Sequence, residues 1–427
     1  MREADTAVQS ADDHVHSVHR KLDFRWSTLV ILLVAAAASI VLLTTLVTPQ
    51  ERDIGLLVGG WDFHVYRGGG RYVLNDLPLY TKPLDCCTPL LYTYTPFSAL
   101  VFVPFVWLPD DADQHIWLAI NVVLLIACVM LCFRILGYRI TPYLAGISAL
   151  LAIACGFLEP VRTTLFYGQI NLLLMLMVLW DASRPEGSRL KGIGIGLAAG
   201  IKITPAYFVL YYLLLRQWRA AGVAVATLAA TIGLGWLVLP RDSWQYWGGK
   251  FLDSSRISNW VFDPANQSLR GAIARLTKEM PATWLWVLAD ACLVAISMWI
   301  AVRLYRHGEP LLAVSVAGLS ATAASPFTWT HHWVWLVPMT VYLMHRAVAN
   351  AWWWVAVVPL FAVMGSWSVL LPNDHQQRIG LYLFQRTGVP WQVLLNLHLA
   401  VYAALLIIAG LIASGRVGRT RRGSAPP

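Results

Sequence analysis

Residues 27–47 read STLVILLVAAAASIVLLTTLV and carry no charge. An uncharged apolar run of about 20 residues is long enough to cross the hydrocarbon core of a bilayer as a helix. About fourteen residues further on, Trp61-Asp62-Phe63-His64-Val65-Tyr66 sets a carboxylate close to the membrane face. Then Tyr92-Thr93-Tyr94-Thr95-Pro96-Phe97 opens a short apolar stretch over 97–108. That stretch is too short to span and reads as an interfacial helix. An acid tethered beside a membrane, followed by an aromatic–proline helix entry, points to chemistry at the lipid–water boundary.

Composition agrees. Of 427 residues 58% are hydrophobic, 21 are Trp and only 13% are charged, whereas a soluble domain carries roughly a quarter charged residues. The chain therefore reads as an all-α polytopic membrane protein. In that class the net charge of +9 reflects basic cytoplasmic loops, and no nucleic-acid partner is expected. Residues 1–26 form a polar tail with no small-residue cleavage site, so the first span is expected to be a signal anchor. Of the six cysteines, Cys128, Cys132, Cys155 and Cys292 lie in apolar runs as small hydrophobes. Cys86-Cys87 is either a strained disulfide or two thiols. No spacing suits a metal, and none is expected.

The positive-inside rule threads the spans. Arg2, Arg20, Lys21 and Arg25 hold the N-terminus in the cytoplasm, and the chain stays outside through Asp111 and Asp113. Segments 116–136, 143–158 and 165–180 then cross in turn. Segment 192–215 has Lys191 at one end and Arg216 and Arg219 at the other, which one crossing would violate. Two half-helices folded back at Thr204-Pro205 satisfy both ends; the alternative is one proline-kinked span. Segment 223–239 exits to a loop over 240–281, and 284–302, 311–325, 332–344, 352–371 and 394–413 complete about ten to twelve membrane segments. The basic tail 415–427 is cytoplasmic.

This threading gathers the hard-to-explain polar residues outside: Asp62, His64, Tyr66, Glu159, Arg162, Gln169, Asn171, Lys202, Asn266, Gln267, His331 and His332. Ionisable groups at a membrane boundary are functional candidates, since burying them unpaired is costly. Each has a plainer reading. Asp62 could be a helix cap, the histidines could sit in a tryptophan belt, and Lys202 could snorkel or pair with Glu159. Asp111-Ala112-Asp113 imitates a metal-binding Asp-x-Asp but is expected to cap a helix. No glycine-rich phosphate loop is present, and nucleotides are not expected outside, so the energy must come from a lipid-borne activated group. Asp62 then suits a general base, with Lys202, Arg162 and His331 or His332 stabilising a lipid phosphate. A flippase or transporter for a lipid-linked saccharide needs polar residues through the whole bilayer, and a non-catalytic scaffold gives no reason for Asp62 or Lys202.

At these residues the chain resembles the GT-C membrane glycosyltransferases, and more narrowly glycosyltransferase family 87. The stretches that carry the resemblance run in order from 61 to 333. They are Trp61-Asp62-Phe63-His64-Val65-Tyr66-Arg67-Gly68-Gly69, Tyr92-Thr93-Tyr94-Thr95-Pro96-Phe97, Tyr167-Gly168-Gln169-Ile170-Asn171, Gly200-Ile201-Lys202-Ile203-Thr204-Pro205, Asn266-Gln267-Ser268-Leu269 and Ser325-Pro326-Phe327-Thr328-Trp329-Thr330-His331-His332-Trp333. The family's usual Tyr-Pro-Pro is here Tyr94-Thr95-Pro96.

The resemblance implies a GT-C helical bundle over 27–414, with extracytoplasmic interfacial helices and an active site on the outer side of the cell membrane. It implies no metal and no cofactor beyond the donor, a polyprenyl-phosphate mannose. The implied acceptor is the 2-hydroxyl of a mannose on a phosphatidylinositol mannoside, lipomannan or lipoarabinomannan. It implies Asp62 as catalytic base and a histidine of the His331-His332 pair as a donor-phosphate or acceptor contact; beside these, Lys202, Arg162, Tyr66, His64, Gln169, Asn171, Asn266 and Gln267 are expected as donor-phosphate or substrate contacts. Partners are the lipid substrates and membrane lipids, with a monomer expected. Related arabinofuranosyltransferases, which use decaprenyl-phosphate arabinose, keep a second sugar open.

Overall fold

The computed structural model describes residues 26–44, 60–84, 90–253, 256, 261–366, 393 and 395–416. The N-terminal basic cluster, Cys86-Cys87 and the tail from 417 onward lie outside the described residues. Seventeen helices follow in chain order. They are α1 (Trp26–Leu42), α2 (Trp61–Leu74), α3 (Pro96–Phe102), α4 (Asp113–Ile135), α5 (Pro142–Cys155), α6 (Glu159–Tyr167), α7 (Asn171–Ala182), α8 (Ile193–Ile201) and α9 (Tyr207–Leu214). Then come α10 (Trp218–Val238), α11 (Pro240–Trp247), α12 (Leu269–Thr277), α13 (Thr283–Arg306), α14 (Pro310–Ala323), α15 (Leu336–Ala349), α16 (Trp354–Met364) and α17 (Leu397–Ala413). Among the described residues there is no strand, only an isolated bridge between Leu158 and Gly365.

Helices α4, α10 and α13 are long and apolar enough to cross a membrane, and shorter apolar helices pack around them. The chain is a multi-pass helical membrane protein of GT-C type. Hydrogen bonds show which turns share an end. Tyr138 meets His345 at 2.9 Å, Arg346 pairs with Glu309 at 3.1 Å, and Gln217 donates to Glu186 at 2.6 Å and to Tyr305 at 2.9 Å. Arg219 donates to the carbonyls of Glu186 and Ser188. All are turns that the charge rule places together, and they form a basic end opposite Asp62.

The fold-back at 202–206 is present. Gly192, Gly196 and Gly200 of α8 lie against Ala220 and Ala224, Thr227, and Thr231 of α10 in rising order, so α8 and α10 run parallel. Helix α9 must therefore return between them, and its Tyr212 comes back under the Lys191 ammonium at 5.5 Å. Small residues every fourth position permit that close approach. A Cβ at Gly200 would stand 2.4 Å from Thr231 Oγ1.

One expectation needs correction and another needs extending. Segment 165–180 is not one straight helix: α6 and α7 meet at 119° around Gly168. Gly168 takes φ +66° and its carbonyl accepts the Trp117 indole N–H at 2.7 Å, which ends α6 and turns the chain. Asp113 sits one residue inside the N-cap position of α4, which Ala112 holds, and its Oδ1 accepts the first-turn Gln114 N–H at 2.6 Å. Its Oδ2 also accepts Arg67 at 2.8 Å, a contact that the sequence reading did not foresee. The loop 240–281 also holds two helices, α11 and α12, that charge threading could not see.

Packing is tight where α14 meets the turn before α15. A Cβ at Gly318 would fall 2.0 Å from the Trp335 ring, which has no room to swing away. Gly318→Ala is therefore expected to cost about 1–3 kcal/mol by overpacking, read as a lower melting temperature in detergent. An unchanged melt would mean that Trp335 repacks freely.

Candidate active site

Helix α2 presents Asp62 in its first turn, and three glycines let the helix sit deep. A Cβ at Gly69 would lie 2.4 Å from the Tyr92 ring, and one at Gly70 2.8 Å from the Phe102 carbonyl oxygen. One turn on from Asp62, Arg67 clamps the helix. Its guanidinium donates to Asp110, to Asp113, and to the carbonyls of Phe105, Val106 and Leu108. With every edge of the fork engaged, α2 cannot rotate about its axis, so the direction of Asp62 is set. His64 belongs to this clamp, its Nδ1 3.6 Å from Asp113.

Asp62 is no cap: Gly60 holds that position, and the Asp62 Oδ2 accepts from Gln169 Nε2 at 2.6 Å. The Tyr66 hydroxyl donates to Gln169 Oε1 at 2.9 Å and lies 2.9 Å from the Tyr94 hydroxyl. Tyr66 thus fixes which end of the amide faces the acid. Burial raises the Asp62 carboxyl from 3.8 to about 6; the Gln169 bond and the Lys202 charge pull the other way but do not win.

Lys202 ends α8 in extended backbone. Its Nζ lies 3.0 Å from His332 Nε2 and 5.3 Å from the centroid of the Tyr94 ring. An ammonium only donates, so the His332 Nε2 accepts and the ring is neutral with its proton on Nδ1. Lys202 pairs with His332, not with Glu159. Asp62, Gln169, Tyr66, Tyr94, Lys202 and His332 therefore form one group drawn from five separate stretches of sequence.

His331 stands with its ring edge-on to that of His332, centroids 4.7 Å apart. Its carbonyl accepts from Asn171 at 3.0 Å and Thr164 at 3.3 Å, and its ring stacks on Trp329 with Tyr167 at its edge. Its Nε2 is buried with no partner among the described residues. Asn171 thus holds backbone rather than facing the acid. Arg162 is buried on α6 within electrostatic reach of Glu159. Glu159 itself accepts from His398 at 3.1 Å and from Thr163 at 2.7 Å.

Asn266 and Gln267 are occupied by backbone. Asn266 Oδ1 accepts from the Thr328 N–H at 3.1 Å, and Gln267 Nε2 donates to the carbonyls of Pro264 and Leu395. They pin the 261–268 segment under the histidine turn. Tyr94 and His398 escaped the sequence reading as individual residues. His398 had a signal, being a histidine at the start of an apolar helix. Among the described residues no group of three or more His, Cys, Asp or Glu is placed to hold a metal.

The site can do acid–base and electrostatic chemistry. A carboxylate poised to take a proton stands within the field of an ammonium that can stabilise an anion.

Known proteins share this chain's pattern. The model of glycosyltransferase family 87 matches residues 92–326. A polyprenol-phosphate-mannose-dependent α-(1-2)-phosphatidylinositol mannoside mannosyltransferase of Mycobacterium tuberculosis is 33% identical, over 86% of this chain and 88% of its own length. A polyprenol-phosphate-mannose-dependent α-(1-2)-phosphatidylinositol pentamannoside mannosyltransferase of Mycolicibacterium smegmatis is 32% identical, over 85% and 86%. An α-(1->3)-arabinofuranosyltransferase of Mycobacterium tuberculosis is 28% identical, over 56% and 55%. No solved structure matches the chain.

Proposed function

The chain belongs to glycosyltransferase family 87, and from that premise we propose that it is an inverting α-1,2-mannosyltransferase using polyprenyl-phosphate mannose. The acceptor is the 2-hydroxyl of a mannose on a mannolipid of the phosphatidylinositol mannoside kind. The observation that carries this reading is the Asp62 carboxylate, held by Gln169 and facing the Lys202–His332 pair. The greater identity and coverage of the mannosyltransferases favour mannose over arabinose as the donor sugar.

In the reaction, the acceptor oxygen attacks the anomeric carbon while Asp62 takes its proton. The bond from that carbon to the phosphate oxygen breaks on the opposite face, so a β-linked donor yields an α linkage. The lipid phosphate departs with the bonding pair as a stable anion, and no general acid is required. Lys202, steadied by His332, supplies the countercharge. The acceptor approaches from the 240–281 side, and the polyprenyl chain runs beside 97–108 in the outer leaflet.

The test is incubation with radiolabelled polyprenyl-phosphate mannose and a panel of mannolipids, followed by linkage analysis. Radiolabel in no acceptor, or a product that is not α-1,2-linked, would sink the reading. The outward-facing site has its own test. A single Cys at Asn75 in a background with Cys86 and Cys87 replaced by Ser should react with an impermeant thiol reagent in intact cells, whereas one at Ser188 should react only after lysis.

The pH profile follows from Asp62. A base acts ionised, so turnover should rise tenfold per pH unit up to about 6 and level off above it. The native protein holds this proton more tightly than the unfolded chain, so the Asp62 contribution to stability falls as pH rises from about 4 to about 6. Activity that declines with rising pH across that window would contradict the assignment.

A further inference from the structure

Thr95, which stands where the usual Tyr-Pro-Pro motif has proline, takes no part in the chemistry above. It is 1% exposed and caps α3, its Oγ1 accepting the Ser98 N–H at 3.2 Å. The hydroxyl proton goes elsewhere, to the last turn of α8. There Oγ1 donates to the Gly200 carbonyl, with the Ile201 carbonyl 3.3 Å away. In a continuing helix these carbonyls would take the N–H groups of Thr204 and Pro205. Pro205 has no N–H, and the chain turns back at that point, so a donor from outside the helix completes its end.

The two sides of this tether carry the groups that do the chemistry. On one side, the segment 92–98 is held along its length. The Tyr80 hydroxyl donates to the Tyr94 carbonyl at 2.7 Å, the Tyr92 hydroxyl lies 2.5 Å from Ser98 Oγ, and Ser98 Oγ donates to the Thr95 carbonyl at 2.6 Å. The Tyr94 hydroxyl meets Tyr66, which sets Gln169 against Asp62. On the other side, Lys202 lies two residues past Gly200 and places its Nζ 5.3 Å from the centroid of the Tyr94 ring. Gln169, Tyr66, Tyr94 and Lys202 are the polar and charged groups that face Asp62. Base and ammonium thus share one frame, and the Thr95 hydroxyl is the bond from that frame to the hairpin tip.

We propose that Thr95 is a positioning residue for the transfer: its hydroxyl fixes how far the Lys202 ammonium stands from Asp62 and from the departing phosphate. This rests on the roles proposed above for Asp62 and Lys202.

Thr95→Val removes the hydroxyl and keeps the branched shape. It should lower turnover roughly 10- to 100-fold and raise the KM for the donor more than that for the acceptor. Thr95→Pro is the second variant, because φ −65° and ψ 158° at this position are values that proline itself takes, and it should lose as much. Thr95→Ser keeps the donor and should recover most of the loss. With the ammonium displaced, less opposes the burial of Asp62, so the acid limb of the pH profile should move above about 6 in the valine and proline variants. In a Lys202→Gln background, Thr95→Val should cost less than about twofold, since no ammonium is left to place. A loss there as large as in the wild type would mean that Thr95 only caps α3, and it overturns the proposal. So does wild-type turnover in Thr95→Pro. Hydrogen exchange reads the tether without turnover. The Lys202 and Ala206 amides, bonded at 2.9 Å to the Ala198 and Ile203 carbonyls, should exchange faster in the valine and proline variants. Unchanged exchange overturns the tether and leaves the transferase reading standing, because that reading is tested by label transfer in the wild type.

Discussion

Asp62→Asn is expected to lower mannosyl transfer by roughly 10²–10⁴-fold while leaving the fold and donor binding close to wild type. The amide keeps the shape of the acid but cannot take a proton at neutral pH. It can still lie against Gln169 if one amide turns over, and the Arg67 clamp on the same helix is untouched. The melt should therefore not fall, and the rise in activity with pH up to about 6 should vanish along with the activity. A variant that keeps more than about a tenth of wild-type turnover would show that Asp62 is not the base. Gln169→Leu separates positioning from chemistry. With its hydrogen bond gone, the Asp62 pKa should climb, and the activity profile should shift to higher pH with a smaller loss at its plateau.

What could be read from sequence follows from which forces are local. Uncharged runs and basic turns report insertion into a bilayer residue by residue, so charge alone puts Glu186, Gln217, Glu309 and His345 at one end. The fold-back at Thr204-Pro205 was legible because two basic flanks contradict a single crossing. The bend at Gly168 was not. Residues 165–180 carry no charge and no proline, and the break falls at Gly168, whose carbonyl takes the indole N–H of Trp117, a residue distant in the chain. The same divide runs through the site. Asp62, Gln169, Lys202 and His332 were each visible as polar residues at a membrane face. That Gln169 serves Asp62, while Asn266 and Gln267 serve backbone, depends on contacts across more than sixty residues, which no local pattern encodes. The alternative reading, a Lys202–Glu159 pair, failed for a related reason: α17 delivers His398 to Glu159, from the far end of the chain.

Lys202→Gln is expected to cost about 10²–10³-fold in turnover, as loss of one preorganised charge at a developing anion commonly does. The charge sits at the tip of a re-entrant half-helix, where backbone contacts hold the segment independently of the side chain. Thr95 Oγ1 donates to the Gly200 carbonyl, and the Lys202 N–H bonds to the Ala198 carbonyl at 2.9 Å. Removing the ammonium should thus impair donor use more than acceptor use without lowering the melt. His332 acts through Lys202, so His332→Gln should cost less, about tenfold, since glutamine still offers an acceptor to the ammonium. The double variant then decides between roles. If His332 only holds the lysine, the double variant should be no worse than Lys202→Gln alone. Losses that multiply would mean that His332 contacts substrate in its own right. Equal damage to donor and acceptor use together with a lower melting temperature would reduce the pair to a structural tie between the re-entrant hairpin and the histidine turn.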